Sequence, residues 1–373
     1  MPITFNPDKF GYYTSGDLKT YSKIEAIEYS LRINQPASWR FNEETFQQVN
    51  WSSEPNCSLW ELYKQRCEQI RNSYDYVILM YSGGSDSQTI LDAWIDSGLH
   101  LDEVASLWSL QGSNDKQAFS EAEVANVVLP KIEKLPFRFR LIDQTTLIFD
   151  YINQLRDDWQ YSINRHLSPN NGARALLRSN IKEWADIISS GKRLCLVWGT
   201  EKPRIINGAV CFSDIVDNCV SPYVQRKYHD GWYDEFFYWT PDMPDLLVKQ
   251  AHTIKRFLNL PPPPEIPEFY KTSNDGVGNF FGRNTLLKDQ YLTEEGTKQL
   301  IYPTWNNNTF CVGKSSNNVF AERDEWFWHG NTSEASLFKE IVKSTFNIML
   351  GNSDLRLLKV YQKRIMFSGR YQI

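Results

Sequence analysis

The stretch Tyr76-Val77-Ile78-Leu79-Met80-Tyr81-Ser82-Gly83-Gly84-Ser85-Asp86-Ser87 decides the fold. Its first six residues, 76–81, form a short apolar run without polar alternation, which suits a strand buried on both faces. Two adjacent glycines follow at once. Ile90, Leu91, Trp94 and Ile95 then recur at helical spacing over 87–97. A buried strand, a glycine turn and an amphipathic helix are the start of a parallel sheet covered by helices.

The pattern repeats downstream. Residues 103–110 make a second strand, holding Val104, Leu107, Trp108 and Leu110. The spacing of Phe119, Val124, Val127 and Val128 predicts a helix over 115–134, ended or kinked by Pro130. Phe137 to Ile142 alternates with Arg138 and Arg140, a third strand. Residues 171–190 read as one long helix with Leu176, Leu177, Ile181, Trp184, Ile187 and Ile188 inward. Leu194 to Trp198 is a fourth strand, closed by Gly199.

Beyond residue 220 the pattern is coarser. Residues 241–259, 333–350 and 353–366 read as helical. Residues 272–332, rich in Asn, Gly and aromatics, read as irregular. Pro261 to Pro264, with Pro267, is a stiff segment that serves as a joint between units or as a surface loop. The expected class is α/β, a parallel sheet sandwiched by helices, with a mixed, mainly helical C-terminal region. The expected division is an N-terminal extension over 1–70, the sheet domain over 71–220, and a substrate or partner region over 221–373.

Composition narrows the function. Of 373 residues, 40 are Lys or Arg and 45 Asp or Glu, a net charge of −5 that lends no support to a nucleic-acid partner. Cys57, Cys67, Cys195, Cys211, Cys219 and Cys311 form no C-x-x-C pair and read as reduced thiols. Met1-Pro2-Ile3-Thr4-Phe5 lacks a signal pattern, and the apolar runs are too short to span a bilayer, so a cytoplasmic protein without a membrane partner is expected. His166, His229, His252 and His329 show no metal-ligand spacing, so no structural zinc is expected. The 13 Trp belong to a 14% aromatic share that suits core packing first and stacking on planar ligands second.

The loop Ser82-Gly83-Gly84-Ser85-Asp86-Ser87 carries the chemistry. Glycine permits positive φ and close approach of the backbone to a ligand. The helix that follows offers unpaired N–H groups and a partial positive charge, a cradle for phosphate oxygens. Ser82, Ser85 and Ser87 add hydroxyls. Asp86 repels a bare phosphate, but is well placed to hold Mg²⁺ bridging phosphate oxygens. The residues alone also permit a plain strand-to-helix turn with a serine or aspartate N-cap.

Tyr81 to Ser87 resembles the PP-loop of the N-type ATP pyrophosphatases, whose pattern Ser-Gly-Gly-x-Asp-Ser follows the first strand of the sheet. That superfamily includes asparagine synthetase, GMP synthetase and phosphoadenylyl-sulfate reductase. The resemblance spans the strand, loop and first helix, with compatible strand order over roughly 70–220. It implies an adenine nucleotide alpha hydrolase-like, Rossmann-like fold with ATP and Mg as cofactors. A substrate oxygen would attack the α-phosphate, pyrophosphate would leave, and a second nucleophile would displace AMP. No Gly-Lys-Ser/Thr follows, so the loop is not a Walker A sequence. The family lays adenine against the end of the second strand, which here implies the segment Leu107-Trp108-Ser109; a plain buried strand end is the alternative.

A second segment, Gly199-Thr200-Glu201-Lys202-Pro203-Arg204, follows the fourth strand. Lys202 and Arg204 are candidates to neutralise the α-phosphate or the leaving pyrophosphate, and Glu201 to share the Mg²⁺ with Asp86. The alternative is an exposed charged turn. The wording of this segment is similar to that of superfamily members encoded by large tailed phages. Arg174 and Arg178 share a helix face, read as solvated, with contact to phosphate or an acidic substrate as the alternative. Glu322, Asp324 and Glu325 beside Trp326 and Trp328 read as a surface cluster or as a contact for substrate.

The departures matter too. There is no Cys at position 2, as a glutaminase domain requires. The last residues, Gly369-Arg370-Tyr371-Gln372-Ile373, lack the Glu-Cys-Gly-type motif of the sulfonucleotide reductases. An AMP-forming ligase or transferase acting on a small-molecule or nucleotide-type acceptor is therefore expected. A sulfur-transfer enzyme using Cys211 or Cys219, and a non-catalytic nucleotide-binding module, are the alternatives. The oligomeric state stays open, a homodimer included.

Overall fold

The computed structural model describes residues 9–20, 23–108, 128–132, 135–158, 173–199, 203–206, 208–212, 214, 231–258 and 366–373, with a few positions between 333 and 340. Its centre is a five-stranded sheet of β1 (Tyr76–Met80), β2 (Glu103–Trp108), β3 (Arg138–Asp143), β4 (Leu194–Trp198) and β5 (Trp232–Phe236). Every pairing is parallel, and the spatial order is β5-β4-β1-β2-β3. Leu79 of β1 is flanked by Val104 on one side and Val197 on the other.

Successive residues of a strand point to opposite faces, and here both faces are covered. Val77, Leu79 and Tyr81, with Cys195 and Val197, pack under three helices: α1 (Leu59–Ser73), α2 (Ser85–Ser97) and α5 (Pro244–Leu258). Ile78 and Met80, with Leu194, Leu196 and Trp198, join a cluster containing Trp184 of α4 (Lys182–Ser189) and Leu147 and Ile148 of α3 (Thr145–Asp158). The same cluster takes in Trp39, Phe41, Phe46, Trp51, Phe212, Trp239 and Tyr371, so most described aromatics are core.

Local chemistry sets the helix ends. Ser58 begins α1 with a capping box: its hydroxyl accepts from Glu61 N at 3.2 Å, and the Glu61 carboxylate accepts from Ser58 N at 2.7 Å. Pro244 stands at the first position of α5, where a missing N–H costs nothing.

Several expectations need correction. The helix expected over 171–190 is broken. A 3₁₀ turn at Ala173–Leu176 and a short helix at Leu177–Asn180 precede α4, with Ile181 extended between them. The Asn180 amide donates to Leu176 O at 2.8 Å, offering the backbone an alternative to continuing the helix. Ile95, expected inward, is 45% exposed, whereas Ile90, Leu91 and Trp94 are buried. Pro130 does not end its turn; it is the second residue of a helical turn, Leu129–Ile132. Residues 115–127 and 133–134, most of 333–350, and all of 259–332 and 353–365 lie outside the described residues.

Three features went unread in the sequence. The fifth strand comes from Trp232–Phe236, beyond residue 220. The strands Tyr12–Ser15, Leu18–Thr20 and Ser38–Arg40 form a small antiparallel sheet. Tyr371–Gln372 pairs with Ala209–Cys211, which pairs in turn with Arg204–Ile206.

Candidate active site

The strand order reverses between β4 and β1: β1 continues through α2 towards β2 on one side, while β4 and β5 lie on the other. Such a reversal opens a crevice beyond the carboxyl ends of the strands, where ligands of open α/β sheets bind. The loop after β1 and the segment after β4 both leave the sheet there.

The loop is internally braced. Gly83 has φ +76°, a left-handed conformation that a side chain would strain. Gly84 is the N-cap of α2 and offers no capping side chain, so the alternative of a serine or aspartate cap is not what forms. The buried Ser87 hydroxyl donates to Gly84 O at 3.2 Å and accepts from Ser82 N at 3.2 Å. Ser87 thus closes the turn, and its proton faces the loop backbone instead of the crevice. Ser82 is exposed, and its Oγ lies 3.4 Å from Gly84 N. The first helical residues, Ser85, Asp86 and Ser87, lie too early in α2 for their N–H groups to find helical acceptors. Asp86 is half-buried in this first turn.

Gly199 meets this turn at close range. A Cβ placed on it would lie 3.1 Å from Asp86 Cβ and 3.2 Å from both Asp86 C and Ser87 N. Two of those neighbours are backbone atoms and cannot move cheaply. We expect Gly199→Ala to cost about 1–3 kcal/mol, as overpacked sites do, and to shift the two loops apart. Urea unfolding checks this; an unchanged midpoint contradicts it.

Other elements fix the loop from outside. The Tyr238 hydroxyl, just after β5, donates to Asp86 O at 2.7 Å. The Ser106 hydroxyl of β2 donates to Tyr81 O at 2.6 Å. Tyr81 OH and Lys131 Nζ both donate to Gln88 Oε1, at 2.6 and 2.7 Å, and Gln88 Nε2 donates to Asp92 at 2.7 Å. Burial holds the Lys131 ammonium below the usual lysine range, partly offset by Asp92. Lys131 is thus a cation beside the first turn of α2 that sequence reasoning missed. Tyr238 was missed as well; its only signal was membership of the aromatic run Phe236-Phe237-Tyr238-Trp239.

The remaining candidates divide. Leu107 and Trp108 end β2 and are half-buried. Trp108 O accepts from Gln144 N at 2.7 Å, which joins the ends of β2 and β3. Arg174 is not on a solvated face: its guanidinium lies 5.1 Å over the Trp198 ring at the end of β4. Trp198 Nε1 donates in turn to buried Asp234 at 2.7 Å. Arg204 is half-buried on the small antiparallel sheet, registered opposite Cys211. Thr200, Glu201 and Lys202 lie outside the described residues, as do Ser109, Cys219, Cys311, His166, His229, His329, the acidic group at 322–325 and the side chains of Ser85 and Arg178.

Among the described residues, no three His, Cys, Asp or Glu side chains gather to hold a metal ion. Among them, too, no helix is long and apolar enough to cross a membrane. The chain matches no protein-family model and no curated protein.

Proposed function

We propose that this chain binds ATP at the loop between β1 and α2 and adenylates an acceptor oxygen, releasing pyrophosphate, in the manner of the PP-loop ATP pyrophosphatases. The observation that carries the reading is positional. Ser82-Gly83-Gly84-Ser85-Asp86-Ser87 lies at the reversal between β4 and β1, with α2 beginning at its end and Gly199 packed against it.

The N–H groups of the first turn of α2 bind the β- and γ-phosphates, aided by the partial positive charge of a 13-residue helix. A single carboxylate fits Mg²⁺, which keeps most of its waters and is held through one or two carboxylates together with substrate phosphates. Asp86 would be that ligand, and the ion would neutralise charge on the departing pyrophosphate. Tyr238, by holding Asp86 O, keeps this residue at a fixed height over the crevice. Arg204 and Lys202 remain the candidate cations for the α-phosphate. The acceptor is a small molecule or nucleotide, and its identity lies with residues past the sheet.

The sulfur-transfer alternative draws no support from Cys211. That thiol is fully buried, and burial pushes it up to about 11, which suppresses the thiolate.

The test is product analysis. Purified protein with ATP, Mg²⁺ and a cell extract supplying acceptors should yield AMP and pyrophosphate by mass spectrometry. ADP and phosphate would overturn the α-phosphate chemistry. Binding without turnover under all conditions would favour a nucleotide-binding module.

A further inference from the structure

Three side chains touch in sequence at the carboxyl end of β4, and the loop uses none of them. Asp234 of β5, 1% exposed, accepts from Trp198 Nε1 at 2.7 Å and from Trp232 Nε1 at 3.3 Å. A buried carboxylate shared by two indoles restrains the Trp198 ring. The Arg174 guanidinium lies 5.1 Å over that ring, and Arg174 is half-buried where Trp198 is only 6% exposed. A cation held by a ring face keeps its charge and spends no N–H donor on the contact. Trp198 stands one residue before Gly199, which packs against Asp86 and Ser87 N. Trp198 O accepts from Phe237 N at 3.0 Å, and the next residue, Tyr238, holds Asp86 O. Arg174 and Asp86 are therefore fixed to one frame, residues 198–199 and 237–238. They meet it from opposite faces of the sheet: Trp198 belongs to the cluster with α3 and α4, whereas Tyr238 belongs to the one with α1 and α2.

We propose that Arg174 binds the α-phosphate across the crevice from the loop, and that Trp198, itself held by Asp234, is its positioning residue. This rests on the ATP reading above. With the β- and γ-phosphates on the first turn of α2, the α-phosphate is the group left for the opposite wall. A guanidinium matches phosphate oxygens through its planar fork of donors, and its weak hydration suits a place against an indole. The acceptor oxygen bonds to the α-phosphorus as the bond to the bridging oxygen breaks, and that electron pair leaves with pyrophosphate. Arg174 neutralises the non-bridging oxygens throughout and gives up no proton, so a fixed charge meets the developing one. Arg204 and Lys202 follow Gly199 in the chain. Arg174 instead comes to the crevice from the 3₁₀ turn before α4, so no motif spacing around Gly199 points to it.

The experiment is phosphorus NMR of Mg-ATP bound to the protein without acceptor, beside titrations of Mg-ATP affinity. Arg174→Met should move the α resonance of bound ATP and leave the β and γ resonances in place. It should weaken Mg-ATP binding about tenfold or more, as loss of hydrogen bonds to a charged group does. Arg174→Lys, the milder change, should shift the same resonance and recover part of the affinity, since the charge returns without the fork. Trp198→Phe keeps a ring but loses the bond to Asp234. It should weaken Mg-ATP binding in the unaltered background and have no further effect beside Arg174→Met. A tryptophan with a purely structural role would weaken binding equally in both backgrounds, which would remove the positioning role. An α resonance unmoved in both Arg174 variants, or three resonances that move together, overturns the assignment of Arg174 and leaves the ATP reading standing. Failure of the unaltered protein to bind Mg-ATP overturns both.

Discussion

Asp86→Ala should lower ATP-dependent pyrophosphate release by about a hundredfold or more, the scale on which single groups that stabilise transition-state charge are felt. The fold should survive. Tyr238 holds the backbone oxygen of Asp86 at 2.7 Å, and that bond does not depend on the carboxylate. Losing an acidic side chain from the first turn of α2 costs about 0.3–1 kcal/mol at the helix terminus. The sign of the binding change is as informative as the rate. If the loop merely captures anions, removing a carboxylate from it removes repulsion, and ATP binds more tightly in the absence of Mg²⁺ and in its presence alike. If Asp86 holds Mg²⁺, affinity for Mg-ATP falls while affinity for free ATP rises. Stopped assays of pyrophosphate with matched titrations separate these cases, and an unchanged release rate would remove the metal role from Asp86.

Glu235→Gln should be the most destabilising of the charge-removing substitutions in the described core, at about 3–5 kcal/mol, the usual cost of breaking a buried ion pair from one side. Glu235 sits in edge strand β5 with its side chain 5% exposed. One oxygen faces Arg66 Nη2 at 2.7 Å; the other faces Lys9 Nζ at 2.5 Å and accepts from Tyr74 OH. Arg66 also donates to Phe236 O at 3.0 Å, so α1 and β5 are joined through one guanidinium. Burial alone would raise the carboxyl, but Arg66 and Lys9 outweigh it and hold it at about 2. A depressed carboxyl stabilises the fold above its unfolded-state value and loses that contribution as pH falls through the folded value. The window is therefore about pH 4.5 down to 2, and a depression of that size corresponds to about 3 kcal/mol. Urea unfolding of both proteins across pH 2–7 reads this directly. The substituted chain should be weaker at pH 7 and should lose less on acidification; parallel curves would show that Glu235 does not carry the acid sensitivity.

The same residues show where the sequence stops being legible. The segment from Tyr76 to Trp94 could be read because its burial is local: four consecutive buried residues, two glycines and a helical stripe leave one solution. Leu194–Trp198 was readable for the same reason. Trp232–Phe236 was not, since Asp234 and Glu235 interrupt it, and nothing nearby reveals that indoles and Arg66 will satisfy them. The break at Ile181 was hidden because its side chain still faces inward, so the apolar stripe runs on across a backbone that does not. In the site, the loop and Gly199 announced themselves through glycine. Lys131 and Tyr238 did not, because their interest lies in atoms brought to them by other elements. Arg174 looked solvated until Trp198 came beneath it.

The crevice exists only because β1 lies between β2 and β4. At the opposite end of that seam Arg193 N donates to the Asp75 carboxylate across 118 residues of chain. Closing so long a stretch is slow, and partners that far apart meet late. A growing polypeptide can therefore shape Ser82 to Ser87 early as a loose turn, but cannot seat Gly199 against it until residues 194–199 have left the ribosome. Throughout that interval the left flank of β1 is an unpaired edge of buried-type residues, the kind of surface on which unfinished chains stick to one another. The order of synthesis thus withholds the site until about half of the chain has been made, and leaves that flank of β1 open to other chains until then.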